Sequence, residues 1–428
     1  MNSYKTNAAV NDCLDKLGFR HARLLRRAVI VTLHGVVVFA LLSALAVFSA
    51  QTARAQTLNT LYAFTGGVDG GKPYAGVIRD AKGNLYGTTS TGGAYGYGTV
   101  FEVTPAGTYT VLYSFLGSPD GAHPYGALVR DSKGNLFGTT PEGGIAGGVC
   151  NANCGTVFEL VRTGKTYTEK VLYAFAGGAD GANPYAGLVR DSKGNLYGTT
   201  VAYGSSNCVC GTVFKLSPDG TMTTLYQFGG GTDGANPYGV LARDAKGNLY
   251  GTTEWGGDLG CTPIGCGTVF EVSATGAEKV LHSFTGEDGA EPFAGLVRDA
   301  KGNLYGTATW GGTYGTYGTV FELTKKGTFT VLHNFAGGDP GDGINPTASL
   351  VRDKQGNLYG TTFGGGYNYG TVFEVTPTGS ETVLYGFIAR ADGSSPYGSL
   401  VLDGQGNLYG TAEQGGDYGY GTVFKLTP

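Results

Sequence analysis

Carboxylates recur along this chain in an Asp-Gly dipeptide, at Asp69, Asp120, Asp180, Asp233, Asp288, Asp342 and Asp392. One acid per copy could contribute to a calcium site. Calcium takes roughly six to eight oxygens, however, and each loop adds at most an amide such as Asn183 or Asn236. An Asx-type turn, in which the carboxylate accepts nearby backbone amides, explains the position with fewer groups. A second series is cationic: Arg79, Arg130, Arg190, Arg243, Arg298 and Arg352, each followed by Asp. Six cations around one axis would draw anions. Leu402 breaks the series in the last copy, so the reading adopted is structural, each Arg bonding turn carbonyls or an Asp of the next copy.

Cysteines form a third series as Cys150 and Cys154, Cys208 and Cys210, and Cys261 and Cys266, while Cys13 stands apart near the N-terminus. Local disulfides of an oxidising compartment account for the pairs. A metal site is the alternative, disfavoured because the pairs lie in separate loops with no His among them. Of the expected bridges Cys150–Cys154, Cys208–Cys210 and Cys261–Cys266, the second closes over a single residue and is the most constrained. No Gly-x-Ser-x-Gly elbow, His-Glu-x-x-His helix or phosphate-binding loop occurs. Beyond residue 55 there are three histidines, of which His282 and His333 replace the Tyr of a repeated motif. No single copy holds an acidic pair that the others lack. The residues therefore speak for binding rather than catalysis, and no cofactor is expected.

Tyrosines supply the candidate ligand contacts. Gly-Tyr-rich loops present Tyr95, Tyr97, Tyr314, Tyr317, Tyr367, Tyr369, Tyr418 and Tyr420. Aromatic rings beside carboxylates such as Asp69, Asp342 and Asp392 suit sugars, whose apolar faces stack and whose hydroxyls need acceptors. The alternative is that these rings pack loop on loop.

All these residues sit in a repeat. Gly-Asn-Leu-Tyr-Gly-Thr begins at Gly83, Gly134 (with Phe137 for Tyr), Gly194, Gly247, Gly302, Gly356 and Gly406. Seven copies each of Gly-Thr-Val-Phe, from Gly98 to Gly421, and of Leu-(Tyr/His)-x-Phe, from Leu61 to Leu384, keep the same order. Within one copy four strands, A to D, are expected, as at 187–190, 196–200, 212–216 and 223–228. Asp-x-(Lys/Gln)-Gly-Asn joins A to B, and Thr-Pro-x-Gly often joins C to D; both place Gly where a tight hairpin needs a left-handed residue. A four-stranded unit of this length is a propeller blade. With 78 Gly and 28 Tyr against 14% charged residues, the composition suits short strands and turns.

The first strand, 58–64, is an isolated D, and the last, 422–426, is a C without its D. Joined, they complete a seventh blade and leave no open edge. The expected fold is all-β: a seven-bladed β-propeller of four-stranded antiparallel blades, its ring closed by the N-terminal strand completing the last blade. Strand parity puts the long D-to-A and B-to-C connections on one face and the tight turns on the other.

Ahead of the repeat, Arg20, Arg23, Arg26 and Arg27 precede an apolar run over 28–50 that leads to Ala53-Arg54-Ala55. This reads as a signal peptide over 1–55 cleaved after Ala55, or else as a retained membrane anchor; residues 56–428 are exported in either case, and contact with a membrane is expected only through the apolar run. Those residues carry 22 Lys and Arg against 31 Asp and Glu, an acidic balance that argues against nucleic acid.

The unit Asp-Gly-Ala-Asn-Pro-Tyr-Ala-Gly-Leu-Val-Arg-Asp-Ser-Lys-Gly-Asn-Leu-Tyr-Gly-Thr-Thr, residues 180–200, resembles the choice-of-anchor GloVer tandem repeat of bacterial surface proteins. The layout is also similar to NHL-type and kelch blades, at the level of fold. The resemblance covers about 58–428 and implies an exported, often surface-attached repeat protein; it supplies no catalytic residues. Members commonly end in an anchoring tail, so with Pro428 following the last strand the expected anchor is the N-terminal run. The expected function is an extracytoplasmic scaffold or binding module for a glycan or protein. The alternative is a polysaccharide hydrolase or lyase whose residues lie in the irregular second and fourth copies.

Overall fold

The computed structural model describes residues 56–144, 149–150, 153–205, 208–257, 261, 264–337 and 341–427; the expected export segment lies outside them. Among the described residues there are strands and turns and no helix that could cross a membrane. The strands form seven four-stranded antiparallel sheets, six in chain order and one from the two ends of the chain, with a two-stranded pair, Gly343–Ile344 against Gly364–Gly365, beside the sixth. This is a seven-bladed β-propeller.

In the first blade, inner strand A is Ile78–Arg79, followed by B at Leu85–Thr89, C at Thr99–Val103 and outer strand D at Tyr109–Ser114. The third blade folds as Val189–Arg190, Leu196–Thr200, Thr212–Leu216 and Met222–Gln227. Strand A is thus shorter than the sequence suggested. The residues before Val189 leave the ladder to pack around the axis, where a Cβ on Gly187 would lie 2.6 Å from the Ala127 carbonyl oxygen of the neighbouring blade. At the A-to-B turn Asp80 Oδ1 accepts the amides of Lys82 and Asn84, each at 2.9 Å, and Gly83 takes φ +90°, which a side chain would resist.

Two of the repeated motifs prove to be one contact. Gly87, inside the hexapeptide, pairs across the ladder with Phe101 of Gly-Thr-Val-Phe, and a Cβ on Gly87 would meet that ring at 2.6 Å. Every blade repeats this, from Gly138 under Phe158 to Gly410 under Phe424. The motifs recur together because the phenyl ring needs the space the glycine leaves.

Apolar side chains on both faces of each sheet form one cluster at each junction between blades. Phe137, Val157 and Phe175 of blade 2, for example, pack on Leu188, Leu196 and Phe214 of blade 3. Each such buried side chain contributes about 1.5–3 kcal/mol. The arginine series also joins blades: Arg79 lies over the Tyr409 ring at 5.5 Å and Arg243 over Tyr197 at 5.2 Å, with Arg243 Nη2 3.9 Å from Asp191 Oδ2. That aspartate belongs to the preceding blade, not the next one. In the last blade Leu402 takes the place of Arg and packs beside Tyr359.

The ring closes within blade 7. Thr57–Ala63 pairs antiparallel with Thr422–Thr427, from Thr57 opposite Thr427 to Ala63 opposite Thr422, and the Phe64 amide continues to the Gly421 carbonyl at 3.0 Å. Phe64 is fully buried with Val77, Phe101 and Val423. Thr411 Oγ1 then donates to Ala75 O at 2.8 Å, tying blade 7 to blade 1.

Candidate functional site

Each D-to-A connection must cross the face of the ring from the outer strand to the axis. Its aspartate fixes the first bend: Asp69 Oδ2 accepts Tyr62 Oη at 2.9 Å and the Thr65 amide at 2.8 Å. Asp392 likewise holds Tyr385 Oη and the Ile388 amide, and Asp342 holds His333 Nε2 and the Ala336 amide. The three acids are therefore engaged in turns. Further on, the residue before proline adopts a left-handed φ, +57° at Asn183 and Asn236. Its side chain reaches the preceding blade, as Asn183 Nδ2 to Pro141 O and Asn236 Nδ2 to Val201 O, both at 2.7 Å. Proline follows and then, in six of the seven copies, an aromatic residue, which delivers six rings to the mouth of the central channel.

The rings meet there. Tyr397, Tyr74, Tyr125, Tyr185, Tyr238 and Phe293 form a chain of neighbours with centroids 4.7–5.5 Å apart, mostly tilted by 35–59°, a spacing at which aromatic pairs attract. The seventh position is Thr347. Over this gap the cavity widens, bringing in Glu291, Thr309, Trp310, Asn345 and Phe363, and the whole bowl encloses about 630 Å³. Phe363 and Trp310 are 38% and 42% exposed; Phe363 stacks near Tyr397 at 4.9 Å. The buried Thr347 Oγ1 has no hydrogen-bond partner among the described residues. Beneath the bowl the inner strands close in, a Cβ on Gly126 lying 2.7 Å from Ala186 O and one on Gly239 2.6 Å from Ala294 O. A ligand would rest on the channel rather than traverse it.

Acids stand around the rings. Glu413 and Glu254 are buried, at 3% and 7% exposure. Burial, then the charge of Glu291, pushes the Glu254 carboxyl up to about 7; burial also raises Glu291 and Glu413. Burial and the Glu254 charge raise the Tyr238 hydroxyl to about 12, and burial and Glu413 do the same for Tyr397. These phenols stay protonated and can donate to an acceptor.

The expected tyrosines lie on this same face. Tyr95, Tyr97, Tyr314, Tyr367, Tyr369, Tyr418 and Tyr420 are 41–61% exposed, and Tyr317 is half-buried against the blade 5–6 core. Several cover a connection: a Cβ on Gly117 would meet the Tyr97 ring at 3.0 Å, and one on Gly66 would meet that of Tyr420. Blades 2 to 4 place a disulfide on the equivalent glycine. Cys150–Cys154, Cys208–Cys210 and Cys261–Cys266 are all formed and approach Gly177, Gly230 and Gly286. Sequence reasoning passed over the axial aromatics because Pro-Tyr recurs with such regularity that it reads as framework. The signal available was the one copy, Pro346-Thr347, that departs from it.

Two other constellations belong to the framework. His333, Asp342 and Glu381 bring their ligand atoms within 4.8 Å of one another. The same junction position holds Tyr226, Asp233 and Glu278 elsewhere, so the histidine stands in for a tyrosine that already bonds the Asp. On the opposite face a cleft of about 560 Å³ between blades 4 and 5 recurs at about 450 Å³ between blades 2 and 3. The bowl is set apart by breaking the ring's symmetry.

The fold and this site define a seven-bladed propeller with an aromatic bowl over its axis. The chain belongs to the family described as the Gloeobacter/Verrucomicrobia repeat, which matches residues 43–264 and 260–428. No curated protein matches its sequence. Among solved structures it is similar to the extracellular domain described as that of a hybrid two-component system of B. thetaiotaomicron, with 9% identity and a TM-score of 0.53 over 86% of this chain; it spans 39% of that protein's chain. A protein described as a 6-phosphogluconolactonase from Bacteroides uniformis gives 16% identity and a TM-score of 0.49, covering 77% of this chain and 88% of its own. A gluconolactonase from Xanthomonas campestris gives 14% and 0.43, covering 87% and 89%. The first likeness shows a shared fold; the other two carry no argument.

Proposed function

We propose that this protein is an extracytoplasmic binding propeller that seats a glycan in the axial bowl. The observation that carries the reading is the lopsided cavity: six contiguous aromatic rings and a gap at Thr347 that extends the site over Trp310 and Phe363. Its volume suits a small-molecule site. Rings offer stacking surface to the C–H faces of sugars, while Tyr hydroxyls, Asn345 and Glu291 offer partners to hydroxyl groups. The three disulfides support an oxidising compartment. The exposed loop tyrosines Tyr95, Tyr97, Tyr314, Tyr367, Tyr369, Tyr418 and Tyr420 make an outer contact set for a ligand longer than the bowl. A glycan array probed with the purified protein tests the reading. Binding that is lost on Trp310→Ala supports it, and an array without any ligand contradicts it.

One observation favours a second reading. Burial and the Glu291 charge push Glu254, in the fourth copy, up to about 7, and a carboxyl protonated near neutral pH can serve as the acid of glycoside cleavage. Release of new reducing ends from a bound oligosaccharide, abolished by Glu254→Gln, is the outcome that would move the protein from binding module to hydrolase.

A further inference from the structure

We infer that the bowl is built for a glycan bearing a free ammonium group, a de-N-acetylated amino-sugar chain. The inference rests on the glycan reading above and adds the chemical class of the ligand.

The residues just before proline and just after strand B decide the charge at the edge of the bowl. At most junctions the two are matched. His123 Nδ1 meets Ser90 O at 2.7 Å, and Asn345 Nδ2 meets Thr309 O at 3.1 Å. Where acids appear, a basic side chain faces them: His123 Nε2 lies 3.8 Å from Glu142 Oε2, and the charge of Lys72 acts on Glu413. The junction of blades 4 and 5 is the exception. Here Glu254 and Glu291 occupy both positions, two like charges close enough to raise one of them, and among the described residues no side-chain hydrogen bond or ion pair satisfies either carboxylate.

Two adjacent acids, Glu254 buried and Glu291 half-buried, are costly in this state unless something supplies a positive charge. Glu291 lines the cavity beside Phe293 and Trp310, at the end widened by Thr347. An ammonium group there meets a carboxylate on one side and aromatic faces on the other, the two arrangements that attract a desolvated cation. A calcium ion takes roughly six to eight oxygens, and two carboxylates supply at most about four. An amine carried on a sugar ring uses the whole bowl: rings stack along the chain, and the amino group sits at Glu291, with Glu254 behind it.

Isothermal titration with three β-1,4-linked tetrasaccharides that differ at C2, those of glucosamine, N-acetylglucosamine and glucose, tests this at pH 6. The glucosamine tetramer is expected to bind at least tenfold tighter than either neutral one. In the folded double variant Glu254→Gln/Glu291→Gln that preference should vanish, and a glucosamine preference that persists in it overturns the ammonium inference. Equal affinity for all three in the wild-type protein overturns the ammonium inference and leaves glycan binding standing. Binding of none of them, together with an empty glycan array, overturns both.

Discussion

The rings of Tyr74 and Tyr397 lie 5.1 Å apart, although they come from opposite ends of the repeat domain. Their contact exists because the N-terminal strand completes the last blade, so the axial bowl and the closure of the ring are one structural event. Loosening the latch should therefore loosen the site. Phe64, fully buried at the seam, is the residue to remove: Phe64→Ala should cost about 3–5 kcal/mol. Urea unfolding monitored by tyrosine fluorescence measures it, and a loss below about 1 kcal/mol would mean that the seam is not part of the cooperative core.

The glycine under each phenyl ring gives a sharper test of packing. Gly251→Ala adds a methyl that meets the Phe270 ring at 2.5 Å, and overpacking of this kind costs about 1–3 kcal/mol. Gly251→Ala/Phe270→Leu should recover part of the loss, giving a coupling energy that a double-mutant cycle reads. Strict additivity would show that the two motifs recur for unrelated reasons.

Stability should also depend on pH near neutrality. Burial, then the charges of Asp233 and Asp342, pushes Glu278 and Glu381 up to about 7; burial and Asp120 raise Glu169 in the same way. An unfolded Glu titrates near ~4.3, so between these limits the folded state holds protons that the unfolded chain has released. The stabilisation is complete below that unfolded value and fades as pH rises through 7 to 8. The melting temperature should fall between pH 5.5 and 8.5, and Glu278→Gln/Glu381→Gln should flatten the fall. A melting temperature that rises over this interval contradicts the assignment.

Disulfide and tyrosine are alternative covers for the same glycine, which predicts an exchange. Each bridge closes a short loop and is worth at most about 2–3 kcal/mol. Cys261→Ser/Cys266→Tyr, which installs the tyrosine of the other blades, should melt closer to the wild-type protein than Cys261→Ser/Cys266→Ser does. Equal melting of the two variants would show that the ring over Gly286 adds nothing.

The blades, their number and the latch were legible because three motifs repeat with fixed order and because the first strand lacks neighbours that the last strand can supply. The disulfides were legible from pairs in equivalent loops. Strand A read too long, since Gly187 and Leu188 carry a strand-like pattern for a different reason, close packing at the axis. The exposed tyrosines such as Tyr367 and Tyr418 announced themselves by clustering in loops. Tyr74 and Tyr238 did not, because a one-dimensional repeat hides the fact that residues about 50 positions apart converge on one point. Glu254 and Glu291 belong to different copies and become a pair only when blades 4 and 5 touch.

The most direct test of the bowl as the binding site is Thr347→Tyr. Six sibling blades already carry an aromatic residue here, so the substitution completes the ring and closes the widened end while keeping the fold. Binding isotherms for the best glycan ligand, taken on wild-type and Thr347→Tyr protein of matched melting temperature, should show affinity falling by at least tenfold, about 1.4 kcal/mol. An unchanged isotherm on the folded variant would contradict the account and move the site to the outer tyrosines.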